Sequence, residues 1–299
     1  MFDTIPSLPC GRIALKLDAP KIMAIVNVTP DSFSDGGKFE SSRTAVEHAL
    51  RMVEQGAHML DVGGESTRPN AVPVSVQEEL ARVIPVIEAL AAAVDVPISI
   101  DTSKPEVMRA AVAAGAGFIN DVFALRRDGA LEAAAELGVP VCLMHMAGSP
   151  QTMQENIQYE DVLVQVRQFL TERIFACEMA GIPKQRLVID PGFGFGKHLP
   201  HNLAMLANLG YFKQLGVPVL AGLSRKSMIG QITGRELDGR VVGSAVAAML
   251  AAQNGAQIIR VHDVAETKDA LAVLSAVQGA AQKDHSIKAK PSIQWPDED

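Results

Sequence analysis

Apolar residues along this chain switch between two spacings, and the switch recurs. A stretch with helical spacing stops at glycine, a few residues pass, and a short β-rich apolar run ends on a polar group. The phrase occurs as EQGAHMLDVGG (54–64), AAGAGFIND (113–121), ELGVPVCLMH (136–145), AGIPKQRLVID (180–190), QLGVPVLAGLS (214–224) and QNGAQIIRVHD (253–263). Glycine is favoured just past a helix end because it takes positive φ without steric cost, so each phrase predicts a helix-to-strand junction. Two further runs, IMAIVNV (22–28) and VPISID (96–101), bring the predicted strands to eight.

Helical patterns follow the strands, among them 42–55, 75–93, 105–114, 129–137, 161–180 and 240–254. The strands are continuous apolar runs, as parallel strands covered on both faces require. Eight βα units predict an α/β fold, a TIM (β/α)8 barrel forming one domain over residues 1–282. An open doubly wound sheet is the architectural alternative. RIALKLDAPKI (12–22) predicts a small hairpin able to plug the barrel's N-terminal mouth, and KDHSIKAKPSIQWPDED (283–299) a disordered polar tail.

Composition narrows the partners. With a net charge of −7 the chain lacks the basic balance of a nucleic-acid binder, so local positive groups must hold any anionic ligand. Cys10, Cys142 and Cys177 are odd in number, lack CxxC spacing and read as reduced core thiols. No apolar run approaches the length of a membrane span, so a cytoplasmic location without membrane or nucleic-acid partners is expected.

In a barrel the C-terminal strand ends share one mouth. In chain order they offer Asn27, Asp61, Asp101, Asn120 with Asp121, His145, Asp190, Ser224 to Lys226, then Arg260 with His262. NVTPDSFSDGG and GGESTRPNA, after the first two strands, read as active-site loops. A single Asp after a strand is ordinarily a helix cap, which leaves Asp61, Asp101 and Asp121 open to a structural reading. Asp101, Asn120, Asp190 and Lys226, however, come from four strands and should converge at one depth. Carboxylate, amide and ammonium together form a mould for a flat heterocycle with an amino-pyrimidinone edge.

That mould explains VIDPGFGFGK (188–197): Asp190 reads ring N–H groups, the glycines allow close approach of backbone, and Phe195 supplies an apolar wall. Thr67, Arg68, Arg260 and His262 form a second cluster suited to phosphate oxygens, while Asn27 and nearby acids offer oxygen ligands to Mg²⁺. His198 and His201, spaced HxxH around Pro200, are expected in an exposed loop rather than at zinc.

IVNVTPDSFSDGG, LDVGGESTRP, ISIDTSKPEV, FINDV, LMHMAGSPQTMQ, IDPGFGFGK, GLSRKSMIG and RVHDV closely resemble the bacterial dihydropteroate synthase family, one motif per strand and in order. The resemblance implies a homodimeric TIM barrel that joins p-aminobenzoate to 7,8-dihydropterin-6-ylmethyl diphosphate with Mg²⁺, and that is a sulfonamide target. It places Asp101, Asn120, Met144, Asp190, Lys226 and Arg260 around the pterin, with Asp101, Lys226 and Arg260 as the catalytic candidates. Asn27 falls on the metal position, and Asn27, Thr67, Arg68, Arg260 and His262 on the diphosphate contacts. Phe33, Pro69, Phe195 and Ser227 fall around the aminobenzoate. Heterolysis of the methylene C–O bond suits these residues, because the electron-rich ring delocalises the cation and no protein nucleophile is needed. The rival readings are a methyltetrahydrofolate:corrinoid methyltransferase and a non-catalytic pterin-binding protein.

Overall fold

Exposure alternates along strands β1 (Ser7–Cys10) and β2 (Ile13–Lys16), which pair antiparallel and bury Leu8, Cys10 and Leu15. The structure is a computed structural model that describes residues 6–28, 38–67, 71–148, 152–153 and 157–281. The hairpin lies earlier than the 12–22 expected from the sequence. IALK pairs with the SLPC before it, and prolines 6 and 9 obscure the alternating Leu8/Cys10 face. Its location at the barrel floor does follow expectation: Leu8, Cys10, Leu15 and Leu17 share one apolar cluster with Met23, Met59, Phe118, Cys142, Val188, Leu220 and Ile258. Arg12 pins the turn outside by donating Nη2 to Ala91 O (2.5 Å) and Val94 O (3.0 Å), carbonyls at a helix C-terminus that favours a cation.

The barrel strands are β3 (Lys21–Asn27), β4 (Met59–Gly63), β5 (Ile98–Asp101), β6 (Phe118–Asp121), β7 (Val141–Met144), β8 (Leu187–Asp190), β9 (Leu220–Ala221) and β10 (Ile258–Val261). All neighbours are parallel, in the order β8-β7-β6-β5-β4-β3-β10-β9. A bridge between Ile189 and Val219 brings the two ends together, with Ile189 N donating to Pro218 O at 3.0 Å. The open-sheet alternative is therefore set aside. Ile22, Ala24 and Val26 on one face of β3 join the helix-facing core, while Met23 faces inward, so apolar residues are required on both faces.

Helices α1 (Lys38–Gln55), α2 (Val76–Ala93), α3 (Pro105–Ala113), α4 (Ala130–Leu137), α5 (Val162–Met179), α6 (Leu199–Ala207), α7 (Ser227–Thr233), α8 (Val241–Gln253) and α9 (Val264–Ala281) lie between and after the strands. Lys104 and Pro105 begin α3, so Asp101 is left free of capping. His198 and His201 stand in the first turn of α6 rather than in a loop, since Pro200 is well tolerated there, and His198 N donates to His201 Nδ1 at 3.3 Å. Among the described residues no helix is long and apolar enough to cross a membrane. The expected tail at 283–299 lies outside the described residues.

Candidate active site

Strand periodicity places the site directly above the apolar floor. Two residues beyond Met59, Phe118, Cys142, Val188 and Ile258 stand Asp61, Asn120, Met144, Asp190 and Arg260, which therefore face the same interior one layer nearer the C-terminal mouth. Asp101 pairs in register with Asn120, and Met144 with Asp190. Asp61 is thus not a strand end but lies inside β4, fully buried.

Arg260 organises one half of this layer. Its Nε donates to Asp61 Oδ2 and its Nη2 to Asp101 Oδ2, both at 2.6 Å, and Asn120 Nδ2 donates to the same Asp61 oxygen at 2.9 Å. The hub of the network is Asp61, which residue-type reasoning left as a structural candidate. An acid at an inward position of the apolar run HMLDVGG was the available signal. Burial pushes Asp101 up to about 7; Arg260 opposes the shift and Asp61 reinforces it. Burial alone would lower the Arg260 guanidinium, but Asp61 and Asp101 outweigh it and hold the group above its ordinary value. Asp121 faces the other way. Its oxygens accept Phe123 N and Leu125 N, both at 2.8 Å, so its role is to shape the turn after β6.

The other half is built on the loop after β8. Asp190 Oδ1 accepts Gly192 N at 2.8 Å. Gly192 has φ +73°, and a Cβ there would lie 1.9 Å from the His145 carbonyl oxygen, so the loop packs directly against the end of β7. Lys197 is buried beneath it and donates to Gly192 O (2.9 Å) and Phe195 O (3.0 Å), with His145 Nδ1 at 2.9 Å. Three donors meet three acceptors if His145 is neutral; burial, then Lys197, depress that ring to about 2. Asn202 accepts Gly194 N at 2.8 Å and donates to Lys197 O at 3.0 Å. Residue-type reasoning missed Lys197, His145 and Asn202 as loop-holding groups. The lysine closing GFGFGK was the visible clue.

Lys226 reaches across this loop, donating to Phe193 O and lying 4.4 Å from the Phe195 ring centroid. Burial pulls the amine down to about 8, although Asp190 supports its charge. Burial raises the Asp190 carboxyl, with Lys226 the main opposing charge. Met144 packs with Val122, Met146 and Met153, against which Phe195 rests, giving the layer an apolar side. Ser227, the first residue of α7, is exposed beside Lys226.

At the rim, Asn27 and His262 line one cavity of about 490 Å³ with Arg225 and Asp263. His262 Nδ1 is 3.0 Å from Ser224 Oγ, and Arg225 is held by Asp263 at 2.5 Å. Thr67 is partly exposed beyond β4, while Arg68, Pro69 and Phe33 lie outside the described residues. Among the described residues no group of three or more His, Cys, Asp or Glu is gathered for a metal. A single amide oxygen at Asn27 fits a Mg²⁺ that keeps water and phosphate oxygens in its shell, not one caged by protein alone.

Residues 23–262 match the family model described as pterin binding enzyme. The dihydropteroate synthase of Escherichia coli (strain K12) is 55% identical over 269 residues, covering 90% of this chain and 95% of that protein. That of Haemophilus influenzae is 53% identical over 89% of this chain and 97% of its own. A solved structure of Xanthomonas albilineans dihydropteroate synthase with 4-aminobenzoic acid superposes with TM-score 0.88 at 61% identity, covering 92% of this chain and 99% of that one. Another, in complex with 7,8-dihydropteroate, gives 0.84 at 59% identity over 91% and 99%. The chain belongs to the pterin-binding enzyme family. Within it, the chain is a transferase of the dihydropteroate synthase group.

Proposed function

We propose that Asp101, Asn120, Asp190 and Lys226 hold the ring of 7,8-dihydropterin-6-ylmethyl diphosphate in the barrel mouth, where p-aminobenzoate displaces the diphosphate. The observation that carries this reading is the ring of polar groups set one layer above an apolar floor, with Asp190 and Asn120 buried and the Asp101 side chain only 11% exposed. Buried carboxylates need donors, and an amino-pyrimidinone edge supplies several. Met144 offers one face of the ring a polarisable contact, and the Arg260 guanidinium offers the other a planar one.

In the reaction, the methylene C–O bond breaks with its electron pair going to the diphosphate. The arylamine nitrogen then bonds to the methylene carbon and loses a proton. Asp101 and Asp61 face this centre as carboxyl groups joined through Arg260, so negative charge is available where the pterin-methyl cation develops. Arg260 and His262, with Thr67 and Arg68, supply donors to the leaving group. Mg²⁺, bound at Asn27 together with the diphosphate, would neutralise charge on the departing oxygens. Phe195, Ser227 and Lys226 flank the place for aminobenzoate, with Phe33 and Pro69 assigned there by the resemblance. A methyltransferase or a non-catalytic binder would leave the Asn27/His262 rim without an anion to hold. Incubating purified protein with the pterin diphosphate, Mg²⁺ and p-aminobenzoate should yield dihydropteroate and diphosphate. Folded protein that forms neither product would overturn the assignment.

The Yersinia pestis dihydropteroate synthase has been solved with a sulfonamide drug, and we assign sulfonamide binding here to the same aminobenzoate place. The three buried free cysteines suit a reducing, cytoplasmic compartment. A homodimer is supported by the outer face of α8, where Val242, Val246 and Leu250 recur every four residues, exposed beside Val273 and Val277 of α9. Scattered exposed valines are ordinary, but a contiguous stripe on two packed helices is not. Val242→Glu with Val246→Glu should convert a dimer to monomer in sedimentation velocity. A dimer that survives both places the interface elsewhere.

A further inference from the structure

Thr67 stands in a segment whose two ends meet on one carboxylate. Glu65 Oε1 accepts Val74 N at 3.0 Å, and Oε2 accepts Lys104 Nζ at 2.7 Å. Lys104 also donates to Glu79 Oε2 on the inner face of α2, and Arg82, one turn on, donates Nη1 to Gly64 O at 2.7 Å. Gly64 is seated against the same helix, since a Cβ there would lie 2.8 Å from Val83 Cγ1. Lys104 is three residues past Asp101 at the start of α3, so its ammonium ties the exit of β5 to the exit of β4.

None of these groups belongs to the substrate-facing set. One cation between two carboxylates, with Lys104 and Glu79 buried and Glu79 Oε1 without a hydrogen-bond partner among the described residues, is a costly way to fill space. Apolar side chains of similar volume commonly stabilise such a site at least as well. What the charges add is direction: among the described residues one Glu65 oxygen accepts from Val74 N and the other from Lys104, so the exit of β4 is held to both at once. On the function proposed above, we propose that Lys104 and Glu65 are a positioning pair that fixes residues 64–67 beyond β4 against Val74 and the start of α3, and with it the placement of Thr67 at the diphosphate.

Lys104→Met, Lys104→Arg and Glu65→Gln test this. Glu65→Gln is isosteric and keeps an acceptor for Val74 N, so it remains informative where Lys104→Met does not fold. Glu65→Gln and Lys104→Met should lower kcat/KM on the order of 10- to 100-fold, chiefly through KM for the pterin diphosphate, as a displacement of order an ångström can cost. Calorimetric affinity for pterin itself, which lacks the diphosphate, should stay within about twofold of wild type, the scatter of an independent site. Lys104→Arg should recover part of the loss. Pterin affinity falling in parallel would show a merely structural role and overturn the pairing, as would unchanged kinetics. Hydrogen exchange over residues 64–67 and 71–75 reads the pairing independently of turnover. Faster exchange confined to those residues in Glu65→Gln is expected, and unchanged exchange overturns the proposal. Failure of the wild-type protein to form dihydropteroate would refute the functional reading, while the exchange result still decides the pairing.

Discussion

Arg260→Met is expected to abolish turnover and to destabilise the fold in a pH-dependent way. The guanidinium is the cation between Asp61 and Asp101, which lie 2.6 Å from it with side chains 0% and 11% exposed. Removing it leaves two facing carboxylates in the interior. Breaking a fully buried pair costs roughly 3–5 kcal/mol; the open mouth and the 21% exposure of the Arg260 side chain put this one nearer about 2–3 kcal/mol. The sign follows from proton binding. Asp101 already titrates near 7 against an ordinary 3.8, so the native state binds more protons than the unfolded chain between those values. Its contribution to stability is present below the unfolded value and is lost as pH rises through the native one. Without Arg260 the charge that opposes this rise is gone, so the Asp101 carboxyl moves further up. The difference in melting temperature between wild type and variant should therefore be small near pH 4 and widen through and beyond pH 7. A constant difference across that range would mean that Arg260 stabilises by packing, and that the charge network contributes nothing.

Arg260 also shows which parts of the site could be read in advance. Its residue type and its place in RVHDV marked it as a ligand-facing cation, but its two partners are 159 and 199 residues away in sequence. Only the closed barrel brings them together. The eight strands were legible because burial on both faces leaves uninterrupted apolar runs ending at glycine-marked junctions. The inward layer was legible too, for a residue two positions beyond an apolar floor residue faces the same interior. Applied to HMLDVGG, that rule would have separated Asp61 from Asp121, which stands one residue beyond Asn120 and faces outward to its own turn. Lys197 was harder. A lysine after GFGFG looks like a ligand group, and nothing local reveals that its ammonium is spent on Gly192 O, Phe195 O and His145. The hairpin shift and the helical start at His198 have a common cause. Proline hid an alternating strand at Pro9 and suggested a loop at Pro200, although first-turn helical positions and edge strands both accept it.

Asp190→Asn should weaken pterin binding by about 2–4 kcal/mol, roughly 30- to 1,000-fold in affinity. The size of the effect comes from the loop, not from the loss of charge alone. In the wild type Gly192 N donates to Asp190 Oδ1 at 2.8 Å, leaving Oδ2 for the ligand. An asparagine must keep its only oxygen on that buried amide, so its NH2 turns toward the ring N–H groups that the carboxylate accepted. One acceptor is lost and a donor-to-donor contact replaces it. Lys226 and Lys197, whose charges oppose the burial of Asp190, also lose their shared anion. The wild-type affinity carries a further signature. Burial raises the Asp190 carboxyl, so binding should fall as pH drops through that raised value, while the asparagine variant has no such limb. Taking the ratio of the two affinities at each pH cancels the titration of the pterin itself. Calorimetry with a simple pterin across acidic to neutral pH measures both effects, and p-aminobenzoate binding in the presence of Mg-pyrophosphate should change far less. A pH-independent ratio, or affinities within about a factor of two at neutral pH, would remove Asp190 from the ring-reading set and shift that role to Asp101 and Asn120.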